Sequence, residues 1–369
     1  MLTYIDVFTG TAGTCIALEK LARPILFCDN NKYVQTVLQK LMARRLIPLV
    51  PILNDVKQFT RSSLKSHYRG QIDMVVAGSP CTGHSLMGKH LGFANPESAL
   101  IHDLLSLVDQ VRPRIVLLEN TPNILDAEGF QLLLHAFAKT KLNNLDWVVL
   151  PAFLAGSPQN RHRWFCIAYQ DASCPALQTL LANALNRVPH DNLGKAWWAE
   201  EPVPRMVTKA QVQFTERCRM LGNAIVPAQL RLALTMLLTR IVSKAPCAAH
   251  IPIQTCTRLP RFGGYRWRRD SASVISFDRP RIPKPNLQLC LLDIGQNPHP
   301  KAVKRKIIPL WPTPRASNCY HCLTLTDRCA CDLPTALRYE KGTTFRTGAR
   351  MNLAWVEWLM GFPLGWTST

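Results

Sequence analysis

The chain has 369 residues, enough for two or three structural units, and its 47% hydrophobic and 18% charged residues exclude a disordered polymer. Forty-four Lys and Arg against 24 Asp and Glu give a net charge of +20, which fits a nucleic-acid partner better than an acidic surface would, unless the charge is only a solvated face. The start, MLTYIDVFTG, has no leader-like charged region, and no apolar run is expected to reach the ~18 residues of a membrane span.

In chain order, the first 170 residues alternate short apolar strands with helical patterns, which predicts a doubly wound α/β sheet. YIDVF and ILFCD read as the first two strands, followed by a helix over Lys32–Leu46. MVVAG is the next strand, Ala99–Val111 the next helix, and IVLLEN, WVVLPAF and RWFCIAY are strands again. The pattern weakens over 171–217 into Leu-rich pieces and GKAWWAEEPVPRM, then sharpens over 218–242 as a Gly-Asn turn and a long apolar helix. Over 243–369 prolines and basic residues crowd the chain, with fourteen Lys or Arg between Lys244 and Arg315 against three Asp. That charge, with Tyr265 and Trp267 interleaved, predicts contact with a phosphate backbone.

Polar residues gather where the strands end. Gly10 and Gly13 follow the first strand, where a helix should open and the backbone can approach a ligand. Asp29 ends the second strand, 19 residues after Gly10, a spacing that suits a carboxylate gripping ribose hydroxyls. Asp55 closes PILNDV, and Glu119 and Asn120 close IVLLEN. Between them, GSPCTGHS delivers Cys81 into a loop after an apolar run. Ligands of open α/β sheets bind at the carboxyl ends of the strands, so these residues are expected on one rim. Arg161 and Arg163, two apart at a strand entrance, are expected to reach the same site.

These blocks, in this order, resemble the DNA cytosine-5 methyltransferases. DVFTGTAG is similar to the family's cofactor glycine loop, FCDNN to its ribose acid, NDV to its adenine-contacting acid, and GSPCTGHS to its Pro-Cys nucleophile loop. LLEN matches the Glu-Asn motif, QNRHR the Gln-x-Arg-x-Arg motif, and MLGNAIVP the block that closes the cofactor site. The resemblance covers Leu2 to about Val242, and it departs from the usual pattern at Ala12, Thr82, Glu97 and Ser98.

The resemblance implies a Rossmann-like catalytic domain over 1–170, a target recognition region over 171–217, a motif helix returning to the catalytic domain over 218–242, and a basic Pro-rich extension over 243–369. It implies S-adenosyl-L-methionine as methyl donor, held by Phe8, Gly10, Gly13, Asp29, Asp55, Pro80 and Asn223. Cys81 would be the nucleophile adding to carbon 6 of a flipped-out cytosine, with Pro80 fixing its backbone. Glu119 would stabilise charge in the ring, and Arg161 and Arg163 would favour the thiolate, with Arg163 also holding the base's carbonyl oxygen. The partner is double-stranded DNA, the chain a monomer without a membrane, and the setting the cytoplasm or nucleoid of a bacterium, with the gene of phage origin. An RNA cytosine methyltransferase of the same fold, acting on tRNA, and a DNA-binding homologue without catalysis are the alternatives.

Two features lie outside the resemblance's core. Cys319, Cys322, Cys329 and Cys331, with His321 among them, have the makings of a zinc knot, although their closing spacing is tight and plain thiols are the expectation. The terminal run MNLAWVEWLMGFPLGWT, with PTPRAS before it, is similar to a terminal segment of phage-type cytosine methyltransferases, which implies a phage or prophage origin; its Trp355, Trp358 and Phe362 at helical spacing read as packing.

Overall fold

The computed structural model describes residues 1–78, 100–125, 140–142, 144–170, 175–188, 197–243, 251–252, 268–269, 275–276, 310–314 and 350–369, and single residues 133, 137, 333 and 337. They form two compact units, Met1–Cys256 together with Leu310–Thr369, and Thr257–Pro309. The described part of the second is an antiparallel pairing of Arg268–Arg269 with Ile275–Ser276.

The first unit is built on β1 (Leu2–Val7), α1 (Gly13–Leu18), β2 (Ala22–Cys28), α2 (Lys32–Ala43), β3 (Ile52–Leu53), α3 (Arg61–Lys65), β4 (Met74–Gly78), α4 (Leu100–Val111), β5 (Ile115–Asn120), β6 (Asn144–Pro151), β7 (Gln159–Asn160) and β8 (His162–Tyr169). Helices α5 (Pro175–Arg187), α6 (Phe214–Gly222), α7 (Pro227–Ser243) and α8 (Leu353–Leu359) follow. The main sheet runs β3-β2-β1-β4-β5-β8-β6, with Ile251–Pro252 on the β6 edge. From β3 to β5 all pairings are parallel, and β8 enters antiparallel between β5 and β6. The doubly wound expectation therefore holds, and the order reverses between β1 and β4, the switch point beside which such sheets bind ligands.

The strands read as nearly unbroken apolar runs because both faces of the sheet are covered: every residue of β1 and of β5 is buried. On one face Tyr4, Met74, Val76, Ile115, Leu117, Phe165 and Ile167 meet Leu230, Leu234 and Leu237 of α7 and Leu177 and Leu181 of α5. The buried α7 positions Leu230, Ala233, Leu234, Leu237, Leu238 and Ile241 keep the helical period, each large side chain contributing about 1.5–3 kcal/mol on burial. Phe214–Ser243, which spans α6 and α7, does have the length and apolarity of a membrane span, contrary to the sequence expectation; its buried apolar residues pack into this core and into a second cluster that includes Trp355 and Phe362. Helix α2 ends at Ala43 rather than Leu46, because Arg45 takes a left-handed conformation, φ 57°, that no helix continues through.

The described residues of 171–217 are part of this unit. Trp198 is buried, and the indoles of Trp197 and Trp198 both donate to the carbonyl of Trp358, at 3.1 and 2.9 Å. Met206–Val207 pairs antiparallel with Arg350–Met351. The C-terminal run comes back as core: Trp355, Trp358, Phe362 and Trp366 are buried.

Candidate active site

The site is assembled from strand ends. After β1 the chain turns through Phe8, Gly10 and Ala12 at φ 60°, 54° and 54°, three left-handed residues in five, two of them not glycine. Such residues cost about 1–2 kcal/mol each and persist where the surroundings over-determine them. The ties are visible: the Gly10 amide donates to the Asp29 carboxylate at 2.9 Å, the Thr9 amide donates to the Cys28 carbonyl at 3.1 Å, and the Thr14 hydroxyl bonds Asp6. Ala12, where a third glycine was the pattern, thus occupies a position that does require positive φ. Gly13 is needed for space, since a Cβ there would stand 2.8 Å from the Ile225 carbonyl oxygen.

Asp29 and Asp55 flank this loop at the ends of β2 and β3, which pair through Phe27–Ile52 and Cys28–Leu53. Asp29 also accepts from the Asn31 amide at 3.0 Å, and burial raises its pKa while these two amides pull it back. Asp55 caps the turn after it through the Lys57 amide, at 3.0 Å. Asn223 ends α6 with its side chain exposed between buried Gly222 and Ala224. A carboxylate pair, an exposed amide and a glycine loop suit a nucleoside with hydroxyl and amino groups. The loop has room for one among the described residues: a Cβ at Gly10 would meet only the Phe8 carbonyl there, at 3.8 Å. On these grounds the residues fit S-adenosyl-L-methionine.

Across the switch point, Gly78 at the end of β4 pairs in register with Glu119 at the end of β5. A Cβ at Gly78 would come 3.3 Å from a Glu119 carboxylate oxygen, so glycine leaves that carboxylate its space. Arg163 donates to Glu119 at 3.0 Å, and both side chains are largely buried. Burial pushes the Glu119 pKa up, and Arg163 and then Arg161 draw it down without cancelling the rise. Burial and the adjacent Arg163 also lower the pKa of His162.

Arg161 does not stand beside Arg163, as residues two apart on a strand would. It occupies the break between β7 and β8, is fully buried, and donates to the carbonyls of Gly222 at 3.2 Å, Ala224 at 2.5 Å and Pro314 at 3.4 Å. Its guanidinium clamps the Gly222–Ala224 turn, and its charge is near enough to Glu119 to draw that carboxyl's pKa down.

Pro80 and Cys81 lie outside the described residues, as do Thr82, Glu97, Ser98 and the Cys319, His321, Cys322, Cys329 and Cys331 cluster. Cys15, Cys28 and Cys166 are poor nucleophiles: burial pushes the Cys15 and Cys28 thiols up to about 12, and that of Cys166 well above its ordinary value. A groove of about 1190 Å³ lined by Ile16, Met42, Leu46, Leu49, Trp197 and Arg231 contains none of the strand-end polar residues. What sequence reasoning missed is the terminal segment: the Trp366 indole donates to the Thr11 carbonyl of the glycine loop at 2.7 Å. Its aromatic spacing signalled burial but not the surface it would cover.

Three comparisons bear on this geometry. A family model described as C-5 cytosine-specific DNA methylase matches residues 2–202. The type II methyltransferase M.CviJI of Paramecium bursaria Chlorella virus IL3A is 28% identical over 97% of this chain and 95% of its own length. The type II methyltransferase M.HhaI of Haemophilus parahaemolyticus is 27% identical over 46% of this chain and 50% of its own. Among solved structures, a methyltransferase of Entamoeba histolytica aligns at 17% identity over 46% of this chain and 53% of that one, with a TM-score of 0.38, too slight an overlap to carry an argument.

Proposed function

The chain belongs to the C-5 cytosine-specific DNA methylases, and from that premise we propose how its own residues divide the work of methylating a cytosine. The protein is a DNA cytosine-5 methyltransferase whose donor is S-adenosyl-L-methionine. When bound, the donor supplies an electrophilic methyl group. Carbon 5 of cytosine is a weak nucleophile, and the protein's task is to activate it.

Cys81 does so by forming a bond from its thiolate to carbon 6, which makes carbon 5 enamine-like. Glu119 shares its proton with the ring nitrogen beside the exocyclic amine, a role suited to a carboxyl that burial keeps protonated above the usual range. Arg163 holds Glu119 in place and faces the base's carbonyl oxygen. Once carbon 5 carries the methyl group, its proton leaves, the carbon–sulfur bond breaks, and the thiolate returns. The target base must leave the duplex to reach these groups. The observation that carries this reading is the buried Glu119–Arg163 pair beside Gly78, because only Ser79 and Pro80 separate Gly78 from Cys81.

We assign the DNA-backbone contacts to the stretch Lys244–Arg315, with its fourteen basic residues. Within 171–217, Trp198 and Met206 are committed to the first unit's packing, so we place a recognition role on its exposed residues, among them Trp197 and Lys209, and on 171–174 and 189–196. The enzyme acts as a monomer on double-stranded DNA in the bacterial cytoplasm or nucleoid, and its viral relative fits a phage-type gene in a restriction–modification setting.

The test is transfer of labelled methyl from S-adenosyl-L-methionine to cytosine-containing duplex DNA, with Cys81→Ala alongside. Transfer by the parent and none by the variant is the expected result. Transfer to tRNA and not to duplex DNA would overturn the substrate assignment. Equal transfer by Cys81→Ala would overturn the covalent mechanism.

A further inference from the structure

The terminal segment touches the glycine loop, the helix that follows Asp29 and the turn before the arginine strand. Trp366 donates to the Thr11 carbonyl, between left-handed Gly10 and Ala12. Phe362 stacks on Trp366 at 5.8 Å between ring centroids and packs against Gly13, where a Cβ would stand 3.2 Å from its ring. The Thr367 carbonyl accepts from the Tyr33 hydroxyl at 2.6 Å, fastening the segment to α2. That helix opens immediately after Asp29, whose own carbonyl accepts from Gln35 of the same helix at 2.7 Å. At its other end the Leu359 carbonyl accepts from Ser157 at 3.1 Å and Gln159 at 2.8 Å, next to the arginine strand.

One buried carboxylate shapes this segment. Glu357 is fully buried and accepts from the Gly365 amide at 2.6 Å, the Thr367 amide at 2.8 Å and the Thr367 hydroxyl at 2.5 Å. Arg217 of α6 pairs with it at 3.0 Å and also donates to the Thr367 hydroxyl at 3.1 Å. The last turn is therefore folded around Glu357, and that fold sets the direction of the Trp366 indole. Burial alone would have been served by any large apolar side chain at 366. The directed hydrogen bond onto a strained loop is a further element.

We propose that Trp366, delivered by the turn folded around Glu357, is a positioning residue of the donor site, acting through the Thr11 carbonyl to hold the glycine loop in its binding conformation. This rests on the assignment of that loop to S-adenosyl-L-methionine. Because the loop residues are locally strained, a loop released from Trp366 relaxes, and the donor must restore it on binding. The loss then shows in donor affinity rather than in DNA affinity.

The experiment is calorimetric titration of the full chain with S-adenosyl-L-methionine, for the parent, Trp366→Phe and Trp358→Phe. Trp366→Phe keeps an aromatic ring and removes the donor to Thr11. Trp358→Phe removes a comparable indole hydrogen bond, to the Trp197 carbonyl at 3.1 Å, without touching the loop. Trp366→Phe is expected to weaken donor binding about five- to tenfold, the worth of one buried hydrogen bond, and to leave the Michaelis constant for DNA unchanged. Trp358→Phe is expected to bind the donor as the parent does. Unchanged donor affinity in Trp366→Phe, or equal weakening in both variants, would overturn the proposal. No binding by the folded parent would overturn the donor-site assignment itself, and so is distinguishable from failure of the inference.

Discussion

Replacing Arg161 with methionine separates a clamp from a catalytic group. The substitution keeps an unbranched chain of similar length and removes the guanidinium donors to the Gly222, Ala224 and Pro314 carbonyls. Each buried carbonyl deprived of its donor costs about 1–3 kcal/mol, toward the lower end because an oxygen with two lone pairs is more tolerant than an amide. Part of that is offset, since a buried charge no longer has to be desolvated. The balance is about 3 kcal/mol of lost stability, equivalent to a fall of about 4–5 °C in Tm for a unit as large as the first. Donor binding should weaken too, because the released turn carries Asn223 and sets the Ile225 carbonyl against Gly13. Thermal unfolding with and without S-adenosyl-L-methionine measures both effects. If Arg161→Met keeps the parent's Tm within 2 °C and its donor affinity, yet transfers no methyl, the clamp reading fails and Arg161 serves the reacting base directly.

Further outcomes follow from the same geometry. Glu119→Gln is expected to fold normally and to lower kcat by about 10²–10⁴, because the amide keeps the shape but cannot share a proton with the ring; a loss under tenfold in single-turnover methyl transfer would remove Glu119 from the chemistry. Asp6 has its pKa pushed up to about 8 by burial, against an ordinary 3.8. The folded state therefore keeps a proton between about pH 4 and pH 8 that the unfolded chain releases, and stability falls as pH rises through that window, at up to about 1.4 kcal/mol per unit. Asp6→Asn cannot ionise and should flatten this slope in urea unfolding curves taken from pH 5 to 8, whereas an unchanged slope would mean the proton resides elsewhere. Replacing Arg266, Arg268 and Arg269 together with serine should cut the slope of log K for DNA against log salt by about 0.9 for each lost phosphate contact, and an identical slope would move the backbone contacts elsewhere.

Much of the sheet and its rim was legible because the signals were local. Parallel strands buried on both faces read as apolar runs, and a polar residue directly after such a run marks the strand's carboxyl end, as with Asp29 after ILFC and Glu119 after IVLL. Order along the chain then set these residues on one edge of the sheet. The main-chain partners of Arg161 were not legible, for an equally physical reason. The two-residue alternation that would aim it with Arg163 holds inside a strand, and the chain breaks pairing between Asn160 and His162. A side chain at such a break points where the local turn sends it, here onto a loop sixty residues on. Ala12 was ambiguous in the sequence because a residue type does not reveal its own φ. It is tolerated because Thr9, Asp29 and Trp366 fix its neighbours, none of them adjacent to it.

The terminal segment shows what kind of information a single sequence withholds. Its aromatic residues recur at helical spacing, so burial was foreseeable, but the partner surface of a buried stripe is fixed by contacts across hundreds of residues. Trp366 reaches Thr11, Thr367 reaches Tyr33, and Glu357 reaches Arg217, and none of the three pairs leaves a periodic trace. Glu357 carried a clue of another kind. A glutamate between Val356 and Trp358, in an otherwise apolar helix, either faces water or is buried with its charge answered. Here it is answered by Arg217 and by two main-chain amides of the turn it organises, so a lone carboxylate in an apolar stripe marked where the chain folds back on itself. The same turn delivers the indole to the glycine loop. In this chain the last twenty residues therefore belong to the architecture of the first fifteen, and a truncation that looks harmless from the motif order would reach the methyl-donor site.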